Sequence, residues 1–464
     1  MFRKVLVANR GEIAVRVIRA CRELGVASVL AHSEADRNSL PYYMADETVC
    51  IGPAPSDKSY LNIPNIVSAA LVTRAEAIHP GYGFLSENAY LAEVCEQCGI
   101  TFIGPTASSI EQFSDKAFAR ERMREVGLPV LRGIDIPLHS LDLARQAAAE
   151  IGYPVMIKAC AGGGGRGLRP VHDEGELLRS FPVAQMEAQN AFGNGGLYLE
   201  ALVEGARHVE VQLLVDRYGN AVHLGERDCS LQRRHQKILE ESPSTALTPE
   251  VRAAMCSGAA AAAAAIGYQG VGTLEFLLDR DGHYSFIEMN TRIQVEHPVS
   301  EMNTGIDLVK WQIRIAAGEA LDIRQEDILF RGHAIECRVN AEDPARGFAP
   351  RTGTIDSFVS PGGPGIRVDT HLFPGYVMPP YYDSLLAKVI AWGGDRAEAI
   401  ARMRRALEEL KIGGVVTNVL FQLELLSRPE FVEGRFTTHS VSQWQEARRQ
   451  EGKADEVAVS PAEL

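Results

Sequence analysis

The sequence feature that most constrains the fold is a polar side chain at every second position of residues 286–297. The polar positions are Glu288, Asn290, Arg292, Gln294 and Glu296. Because an extended chain turns alternate side chains to opposite faces, this spacing predicts a strand with carboxylates, amides and a guanidinium on one face. A solvated strand face is the alternative, but it does not require this variety of functional groups. We therefore expect a functional surface.

Two strand-like runs, residues 273–279 and 283–289, flank the dipeptide at residues 281–282. Asp-Gly favours a type I′ hairpin turn of two residues. With that turn, Glu275 would lie directly opposite Glu288. A longer loop would shift this pairing.

Carboxylates opposite each other in a sheet repel, so a cation between Glu275 and Glu288 is expected. Asn290 lies on the same face and adds a third oxygen. Ligation by oxygen alone indicates Mg²⁺ or Mn²⁺ rather than Zn²⁺.

The 464 residues correspond to about three domains at ~150 residues per domain. Hydrophobic residues make up 46% of the chain, which is enough for several cores. The net charge of −13 argues against a nucleic-acid-binding surface, which normally carries a basic patch. Anionic ligands must therefore be held by local positive charge.

The cysteine pattern and the apolar runs indicate a cytoplasmic protein. Among eight cysteines only Cys95 and Cys98 have C-x-x-C spacing, so a zinc site is not expected, and a reducing compartment is the simplest setting. The start of the chain has too short an apolar run for a signal peptide. No segment approaches the ~20 apolar residues needed to cross a bilayer.

The first hundred residues open with a βαβ pattern. Residues 4–8 and 27–32 are strand-like and residues 12–24 are helical, which predicts a parallel sheet. The turn at residues 9–11 is not G-x-G-x-x-G, so a dinucleotide site is not expected. The loop at residues 79–84 is dense in glycine and proline; it is either a ligand loop or an ordinary turn.

A lysine within an apolar run and a glycine-rich loop follow one another in the middle of the chain. Lys158 ends a strand-like segment, and a lysine there needs an anionic partner. Residues 162–167 are glycine apart from Arg166, which leaves backbone amides free to close over phosphates. The motif lacks Gly-Lys-Ser/Thr, so it is not a Walker loop. We expect a lid between two hairpin strands rather than a flexible linker.

Residues 226–237 place three cations and a histidine within five residues of an acidic protein. This run is either a solvated face or a site that neutralises phosphate or bicarbonate, and we favour the latter. A further unit begins at Arg331, in which Arg338 follows Glu336 by two positions. A functional arginine and a surface ion pair are equally compatible with that spacing. Residues 445–464 are polar and are expected to fray.

Five segments together resemble the biotin carboxylases, which are ATP-grasp enzymes, and the resemblance covers nearly the full chain. They are residues 8–14, residues 79–88, Lys158 with residues 162–167, residues 227–237, and residues 286–297. The last two segments are highly specific, whereas the glycine loop alone would be a weak signal.

The resemblance implies an α/β fold with three domains. Residues 1–113 would form a Rossmann-like parallel sheet, residues 114–330 an α+β ATP-grasp domain with a mobile glycine-rich lid at 130–203, and residues 331–444 a C-terminal mixed-sheet domain. Residues 445–464 would be a disordered tail.

The resemblance also implies an ATP site with Mg²⁺ or Mn²⁺, two ions being expected. Glu275, Glu288 and Asn290 would hold the metal, in agreement with the hairpin register. The residues implied for ATP are Lys116, Lys158, Gly164, Gly165, Glu200, Ala201, Leu202, Val203, His208, Gln232, His235, Glu275 and Glu288.

The implied reaction activates bicarbonate by attack on the γ-phosphate to give carboxyphosphate, and then carboxylates biotin. Glu296 would be the base, and Lys237, Arg292, Gln294 and the Val295 amide would seat bicarbonate. Arg338 would stabilise the biotin enolate, and Tyr82 would lie beside the path by which biotin enters.

The chain departs from the family pattern at three places. Ala201 stands where the family usually has a lysine, so one side-chain contact to adenine is missing. Cys160 and Ala161 replace the usual Ser-Gly before the lid, and Pro170 is expected to interrupt the strand after it. None of these positions is a metal or bicarbonate residue.

The expected function is the first half-reaction of acetyl-CoA carboxylase, with biotin presented by a separate biotin carboxyl carrier protein and carboxyltransferase subunits on other chains. Another acyl-CoA or 2-oxoacid carboxylase, an ATP-grasp ligase acting on a free metabolite, and a catalytically silent scaffold are the alternatives. The resemblance also implies a homodimer through Arg16, Arg19 and Glu23 on one helix; on sequence alone these residues form an exposed charged face. No nucleic-acid or membrane partner is expected.

Overall fold

The first third of the chain forms a five-stranded parallel sheet with the order β3-β2-β1-β4-β5. The structure, a computed structural model, describes residues 1–160 and 168–448. Strand β1 is apolar at nearly every position because helices cover both faces of a parallel sheet. The elements are β1 (Lys4–Val7), α1 (Gly11–Glu23), β2 (Ala27–Ser33), α2 (Leu40–Met44), β3 (Glu47–Gly52), α3 (Ile63–Thr73), β4 (Ala77–His79), α4 (Ala89–Gln97), β5 (Thr101–Phe102) and α5 (Ala107–Ser114).

A four-stranded antiparallel sheet with the order β6-β9-β7-β8 follows. Its elements are α6 (Lys116–Glu125), β6 (Gly133–Leu138), α7 (Leu141–Ile151), β7 (Val155–Ala159), β8 (Arg169–Val171), α8 (Glu174–Phe192) and β9 (Leu197–Ala201). Strands β7 and β8 pair antiparallel, which confirms that the glycine run joins two hairpin strands. Gly164 and Gly165 themselves lie outside the described residues.

Pro170 does not interrupt the strand after the lid, contrary to the sequence expectation. It lies within β8 and pairs with Met156 of β7. Because β8 is the edge strand of its sheet, the missing proline N–H breaks no second ladder.

The rest of the chain is built on one eight-stranded antiparallel sheet with the order β14-β13-β10-β11-β12-β15-β22-β20. Its strands are β10 (Arg207–Val215), β11 (Ala221–Arg233), β12 (Gln236–Ser242), β13 (Gly270–Leu278), β14 (Tyr284–Asn290), β15 (His333–Asn340), β20 (Ile366–Thr370) and β22 (Leu385–Gly393). The pairing of β12 with β15 carries the sheet across residue 331, so the C-terminal part of the chain extends the sheet that holds β13 and β14. The predicted domain boundaries stay predictions.

Helices and short strands surround this sheet. The helices are α9 (Pro249–Ala265), α10 (His297–Thr304), α11 (Leu308–Ala316), α12 (Arg396–Glu409), α13 (Val419–Leu425) and α14 (Pro429–Val432). The short strands are β16 (Glu342–Asp343), β17 (Ala349–Pro350), β18 (Gly353–Thr354), β19 (Phe358–Val359), β21 (Val377–Met378) and β23 (Lys411–Ile412). The mixture of a parallel first sheet with large antiparallel sheets confirms the predicted α/β fold class.

The hairpin of β13 and β14 differs from the predicted turn but preserves the predicted pairing. The Asp279 N–H donates to the His283 carbonyl at 2.9 Å, so the loop has three residues, and its last residue, Gly282, has φ +86°. The prediction of a two-residue type I′ turn was therefore wrong. Ile287 forms a bulge that offsets the extra loop residue, and Glu275 lies opposite Glu288 as predicted.

The polar alternation of residues 286–297 was predicted to lie on one strand, but it continues beyond the end of the observed strand. Strand β14 ends at Asn290, and residues 291–296 form bends and a turn before α10 begins at His297. The side chains at positions 290, 292, 294 and 296 still meet, but a loop brings them together.

Within residues 1–160 and 168–448, no helix combines the length and apolar character needed to cross a lipid bilayer.

Candidate active site

A row of charged side chains crosses four adjacent strands of the large sheet. Arg227 of β11 pairs with Glu210 of β10, Glu210 pairs with Glu275 of β13, and Glu275 pairs with Glu288 of β14. Neighbouring positions in one register place side chains on the same face about 5 Å apart. Three carboxylates in such a row require compensating positive charge.

Lys237 supplies that positive charge from the start of β12. Its Nζ lies 2.5 Å from Glu210 Oε2, 2.9 Å from Glu275 Oε1 and 2.7 Å from Glu296 Oε1. Burial lowers the pKa of Lys237, but these three carboxylates outweigh it and raise the pKa well above its usual value. Lys237 is therefore a permanent cation at the centre of the site.

Glu296 is fully buried and shared between two cations. Its Oε1 accepts from Lys237, and its Oε2 accepts from Arg338 Nη2 at 2.9 Å. Burial raises the pKa of Glu296, but Lys237, Arg338 and Arg227 hold it well below its usual range. The group is therefore ionised.

Arg338 also bonds to a second buried carboxylate. Its Nε donates to Glu240 Oε1 at 2.6 Å, and Glu240 has no exposed surface. The carbonyl of Arg338 accepts from the side chains of Asn418 and Gln422 at 3.0 and 2.9 Å, which fixes its backbone. From the sequence, Arg338 could also have formed a surface ion pair with Glu336. The structure instead directs the guanidinium of Arg338 towards Glu296.

Two of the three predicted metal ligands are in direct contact. Asn290 Nδ2 donates to Glu275 Oε1 at 2.8 Å, and Glu275 Oε2 lies 2.9 Å from His208 Nε2. Burial raises the pKa of Glu275, but Lys237 and His208 lower it well below its usual value. Glu288, directly across the hairpin, pairs with Lys116 at 2.9 Å. Carboxylate and amide oxygens on one face form a donor set that fits Mg²⁺ or Mn²⁺.

Both lysines implied for ATP phosphates have carboxylate partners in the structure. Lys116 at the start of α6 contacts Glu288. The charge of Glu288 raises the pKa of Lys116 by more than burial lowers it. Lys158 on β7 forms an ion pair with Glu200, which also accepts from Arg120 Nη1 at 3.0 Å. An incoming triphosphate would compete for both ammonium groups.

Three further residues implied for ATP lie on neighbouring strands of the large sheet: His208 on β10, Gln232 on β11, and His235 in the turn between β11 and β12. Gln232 Nε2 lies 2.8 Å from His208 Nδ1, which links two of the residues implied for ATP. His235 is exposed, at φ +64° after Arg234 at φ +50°, so these residues form a two-residue hairpin turn without glycine or asparagine. Such backbone strain is typical of functional sites.

The edge implied for adenine comprises Glu200, Ala201, Leu202 and Val203. Ala201 ends β9 with its N–H bonded to the Arg132 carbonyl at 2.8 Å, and the Leu202 N–H donates to the Pro154 carbonyl at 3.0 Å. Val203 follows them beyond the strand and is half-buried.

Arg292 joins the residues implied for bicarbonate. Its Nη1 donates to Gln294 Oε1 at 2.9 Å and its Nη2 to Asn290 Oδ1 at 3.0 Å. Gln294 in turn donates to Glu275 at 3.3 Å. The Nε of Arg292 donates to Glu87 at 2.9 Å, which connects the loop to the first sheet.

Tyr82 is positioned by the first βα turn. Asn9 Nδ2 donates to the carbonyls of Pro80 and Tyr82 at 2.6 and 2.8 Å. The Tyr82 hydroxyl donates to Glu12 at the start of α1. The loop at residues 79–84 is therefore held in place by the residues that replace the dinucleotide fingerprint.

Sequence reasoning missed four charged residues at this site: Glu87, Glu210, Arg227 and Glu240. Glu210 carried a usable signal, because it is an acid within an apolar strand, where charged residues are rarely buried without a partner. Arg227 was included in the cationic segment but received no role. Glu87 was included in the family-like segment 79–88 but received no role, and Glu240 had no local signal.

Models of three protein families match consecutive parts of the chain. "Biotin carboxylase, N-terminal domain" matches residues 1–110, "Carbamoyl-phosphate synthase L chain, ATP binding domain" matches residues 115–324, and "Biotin carboxylase C-terminal domain" matches residues 336–443.

Relatives and a solved structure are similar over nearly the full length. The biotin carboxylase of Nostoc sp. is 54% identical over 442 residues, covering 95% of this chain and 99% of that protein. Biotin carboxylase 1 of Bacillus subtilis is 55% identical over 439 residues, covering 94% and 98%. The biotin carboxylase domain of Hydrogenobacter thermophilus 2-oxoglutarate carboxylase, solved as a dimer with MgADP, ADP and bicarbonate, has a TM-score of 0.93 at 53% identity, covering 96% and 98%.

Proposed function

Because the chain belongs to the biotin carboxylase family and is an ATP-dependent biotin carboxylase, we propose that the cluster around Lys237 binds bicarbonate beside metal-bound ATP. The observation that carries the proposal is Glu296, a buried ionised carboxylate held between Lys237 and Arg338. A base flanked by two cations suits a reaction in which one anion is deprotonated and a second anion develops.

ATP is held by its phosphates in this proposal. Lys116 and Lys158 exchange their carboxylate partners, Glu288 and Glu200, for phosphate oxygens. Release of Lys116 frees Glu288 to face Glu275 as a metal ligand. Glu275, Glu288 and Asn290 would hold Mg²⁺ or Mn²⁺, which would supply positive charge beside the transferring phosphoryl group.

Bicarbonate is activated within the loop after β14. Arg292, Lys237, Gln294 and the Val295 amide bind its oxygens, and Glu296 accepts its proton. An oxygen of bicarbonate attacks the γ-phosphorus while the bond to the bridging oxygen breaks, giving carboxyphosphate and ADP. Because bicarbonate competes with Glu296 for Lys237, its binding raises the pKa of Glu296 towards its ordinary range and strengthens it as a base.

Carboxyl transfer takes place on the side of Arg338 and Tyr82. Carboxyphosphate splits into CO₂ and phosphate, the phosphate takes the N1 proton of biotin, and the nitrogen forms its bond to CO₂. Arg338, which bonds to both Glu240 and Glu296, stabilises the enolate oxygen of biotin. Tyr82 lies beside the path by which biotin enters.

The biotin is carried by a separate biotin carboxyl carrier protein, and carboxyltransferase subunits complete the complex in the cytoplasm. Acetyl-CoA is the favoured final acceptor. A 2-oxoacid is the second candidate, because the H. thermophilus relative is a domain of a 2-oxoglutarate carboxylase. All eight cysteines are free, which supports a reducing compartment. Mass spectrometry of the proteins captured with the biotinylated carrier identifies the carboxyltransferase subunits. Their identity distinguishes acetyl-CoA from a 2-oxoacid as the final acceptor.

A homodimer is proposed from the dimer of the H. thermophilus structure. Arg19 on α1 is exposed and available for such an interface. Arg16 is not part of an exposed face, contrary to the sequence expectation, because its Nη2 bonds to Glu301 at 3.0 Å and Asp307 at 2.6 Å in the same chain. Glu23 pairs with Lys310.

The test is ATP hydrolysis measured with bicarbonate, with and without free biotin. We expect turnover to require bicarbonate and to rise when biotin is added, and Glu296→Gln to lower it about 10²- to 10⁴-fold, as loss of a general base does. Bicarbonate-dependent turnover that biotin does not stimulate would favour an ATP-grasp ligase acting on a free metabolite. Absence of ATP turnover would favour a silent scaffold.

A further inference from the structure

The side chain of Lys388 is completely buried in the middle of β22, within the apolar sequence Leu385–Gly393. A buried ammonium is costly unless partners compensate for its lost hydration. Lys388 Nζ donates to the Val295 carbonyl at 2.9 Å and lies 3.1 Å from Glu12 Oε1. Asp369 of β20 is 3.8 Å away. The ammonium therefore joins three distant parts of the chain.

The carbonyl that Lys388 binds belongs to the peptide between Val295 and Glu296. Residues 291–296 form bends and a turn, so no sheet ladder fixes this peptide. Lys237 and Arg338 fix the far end of the Glu296 side chain, whereas Lys388 fixes the peptide that leads from Val295 to Glu296. His297 holds the preceding peptide through its Nδ1, 2.7 Å from the Gln294 carbonyl.

The second partner of Lys388 belongs to the side of the site assigned to biotin. Glu12 accepts a hydrogen bond from the Tyr82 hydroxyl through the same Oε1 atom that Lys388 contacts. One ammonium and one carboxylate therefore connect the Val295 peptide to Tyr82. Burial lowers the pKa of Lys388, but Glu12, Glu336 and Asp369 raise it above its usual value, so the ammonium is charged.

We propose that Lys388 is a positioning residue for bicarbonate, because its hydrogen bond to the Val295 carbonyl fixes the peptide between Val295 and Glu296, which leads directly to the Glu296 side chain and adjoins the peptide that carries the Val295 amide. Glu12 orients the ammonium and ties it to Tyr82. The inference rests on the proposed function, since it assumes that Val295 and Glu296 meet bicarbonate.

A purely structural role is the competing explanation, since the Lys388–Glu12 pair also joins β22 to α1. Loss of one partner of a buried ion pair destabilises a protein, while replacing Lys388 together with Glu12 removes the nearest uncompensated charge and leaves Asp369 paired with Arg367. The single variant Lys388→Met and the double variant Lys388→Met with Glu12→Gln therefore separate the two roles. The amide that Glu12→Gln introduces retains an oxygen that can accept from Tyr82.

The experiment measures the KM values for bicarbonate and ATP and the melting temperature of the full-length protein. We expect both variants to raise the KM for bicarbonate about 10-fold or more, the effect of losing one charged hydrogen bond, with less than about a 2-fold change in the KM for ATP. The double variant should have a higher melting temperature than Lys388→Met, while its KM for bicarbonate stays above the wild-type value.

Arg396→Met is the matched control. Arg396 pairs with buried Glu241 at 2.7 Å and bonds to the carbonyls of Phe431 and Val432, away from residues 291–297. The Arg396→Met substitution should lower the melting temperature and leave the KM for bicarbonate unchanged.

An unchanged bicarbonate KM in Lys388→Met, its recovery in the double variant, or an equal rise in Arg396→Met would overturn the inference while leaving the proposed function intact. Failure of the wild-type protein to hydrolyse ATP in response to bicarbonate would overturn both.

Discussion

Lys237 Nζ lies 2.7 Å from Glu296 Oε1, and the same ammonium contacts Glu210 and Glu275. We expect Lys237→Met to lower the free energy of unfolding by about 3–5 kcal/mol, because three buried carboxylates lose their shared cation. Bicarbonate-dependent ATP turnover should fall together with it. Urea denaturation and the turnover assay measure the two effects.

Lys310→Met is the control for this change. Lys310 pairs with Glu23, and both side chains are partly exposed, so the stability change should stay below about 1 kcal/mol. Equal destabilisation by the two substitutions would contradict the central role assigned to Lys237.

Glu288→Gln should lower ATP turnover at least about 100-fold and raise the Mg²⁺ concentration needed for half-maximal rate. A metal ligand contributes several kcal/mol to charge stabilisation in the transition state. Asp281→Asn removes a carboxylate from a second, exposed group, Asp279, Asp281 and His283, at the other end of the same strands, and should leave both quantities unchanged. A Glu288→Gln enzyme with the wild-type Mg²⁺ dependence would show that the opposed glutamates hold no ion.

Glu240 should make stability depend on pH. Burial raises its pKa from 4.5 to about 7, Glu296 adds to the rise, and Arg338 opposes it. The folded carboxyl binds its proton more tightly than the unfolded one, so its contribution is present at about pH 4.5 and is lost as pH rises through about 7. The free energy of unfolding of the wild type, relative to Glu240→Gln, should therefore decline between about pH 5 and pH 8. Urea denaturation measures this difference. A difference in unfolding free energy that stays constant or rises across this pH range would refute the raised pKa of Glu240.

Ala201→Lys should lower the KM for ATP about 2- to 10-fold. The substitution restores the side chain that the family usually places at the end of β9, and one hydrogen bond contributes about 0.5–1.5 kcal/mol. Ala201→Met adds a side chain of similar length without the ammonium and is the control. The same gain with methionine would indicate packing rather than a contact to adenine.

The opposition of Glu275 and Glu288 was predictable from the sequence, although the turn was not. The loop has one residue more than Asp-Gly suggested, and the bulge at Ile287 restores the register. Leu274 and Phe276 must face the core beside α9, and a slip of one residue would turn them outwards. The apolar pattern therefore constrains the pairing more strongly than the loop does.

The grouping of Asn290, Arg292, Gln294 and Glu296 was also correct, but its explanation was not. The strand stops at Asn290, and the later side chains meet because Glu87, Lys237 and Lys388 hold the loop from other parts of the chain. Alternation showed which residues act together without showing the backbone that carries them.

By itself, the sequence determined the strand periodicity, the opposed carboxylates of the hairpin and the residues that resemble a biotin carboxylase. These properties depend on side-chain type and on spacing over a few residues. Only the tertiary structure decided that Glu210 and Arg227 complete the charged row, that Glu240 supports Arg338, and that Lys388 reaches Val295 and Glu12. Those contacts follow from the order of strands in the sheet, which is set by packing between segments far apart in the chain, and no local pattern records it.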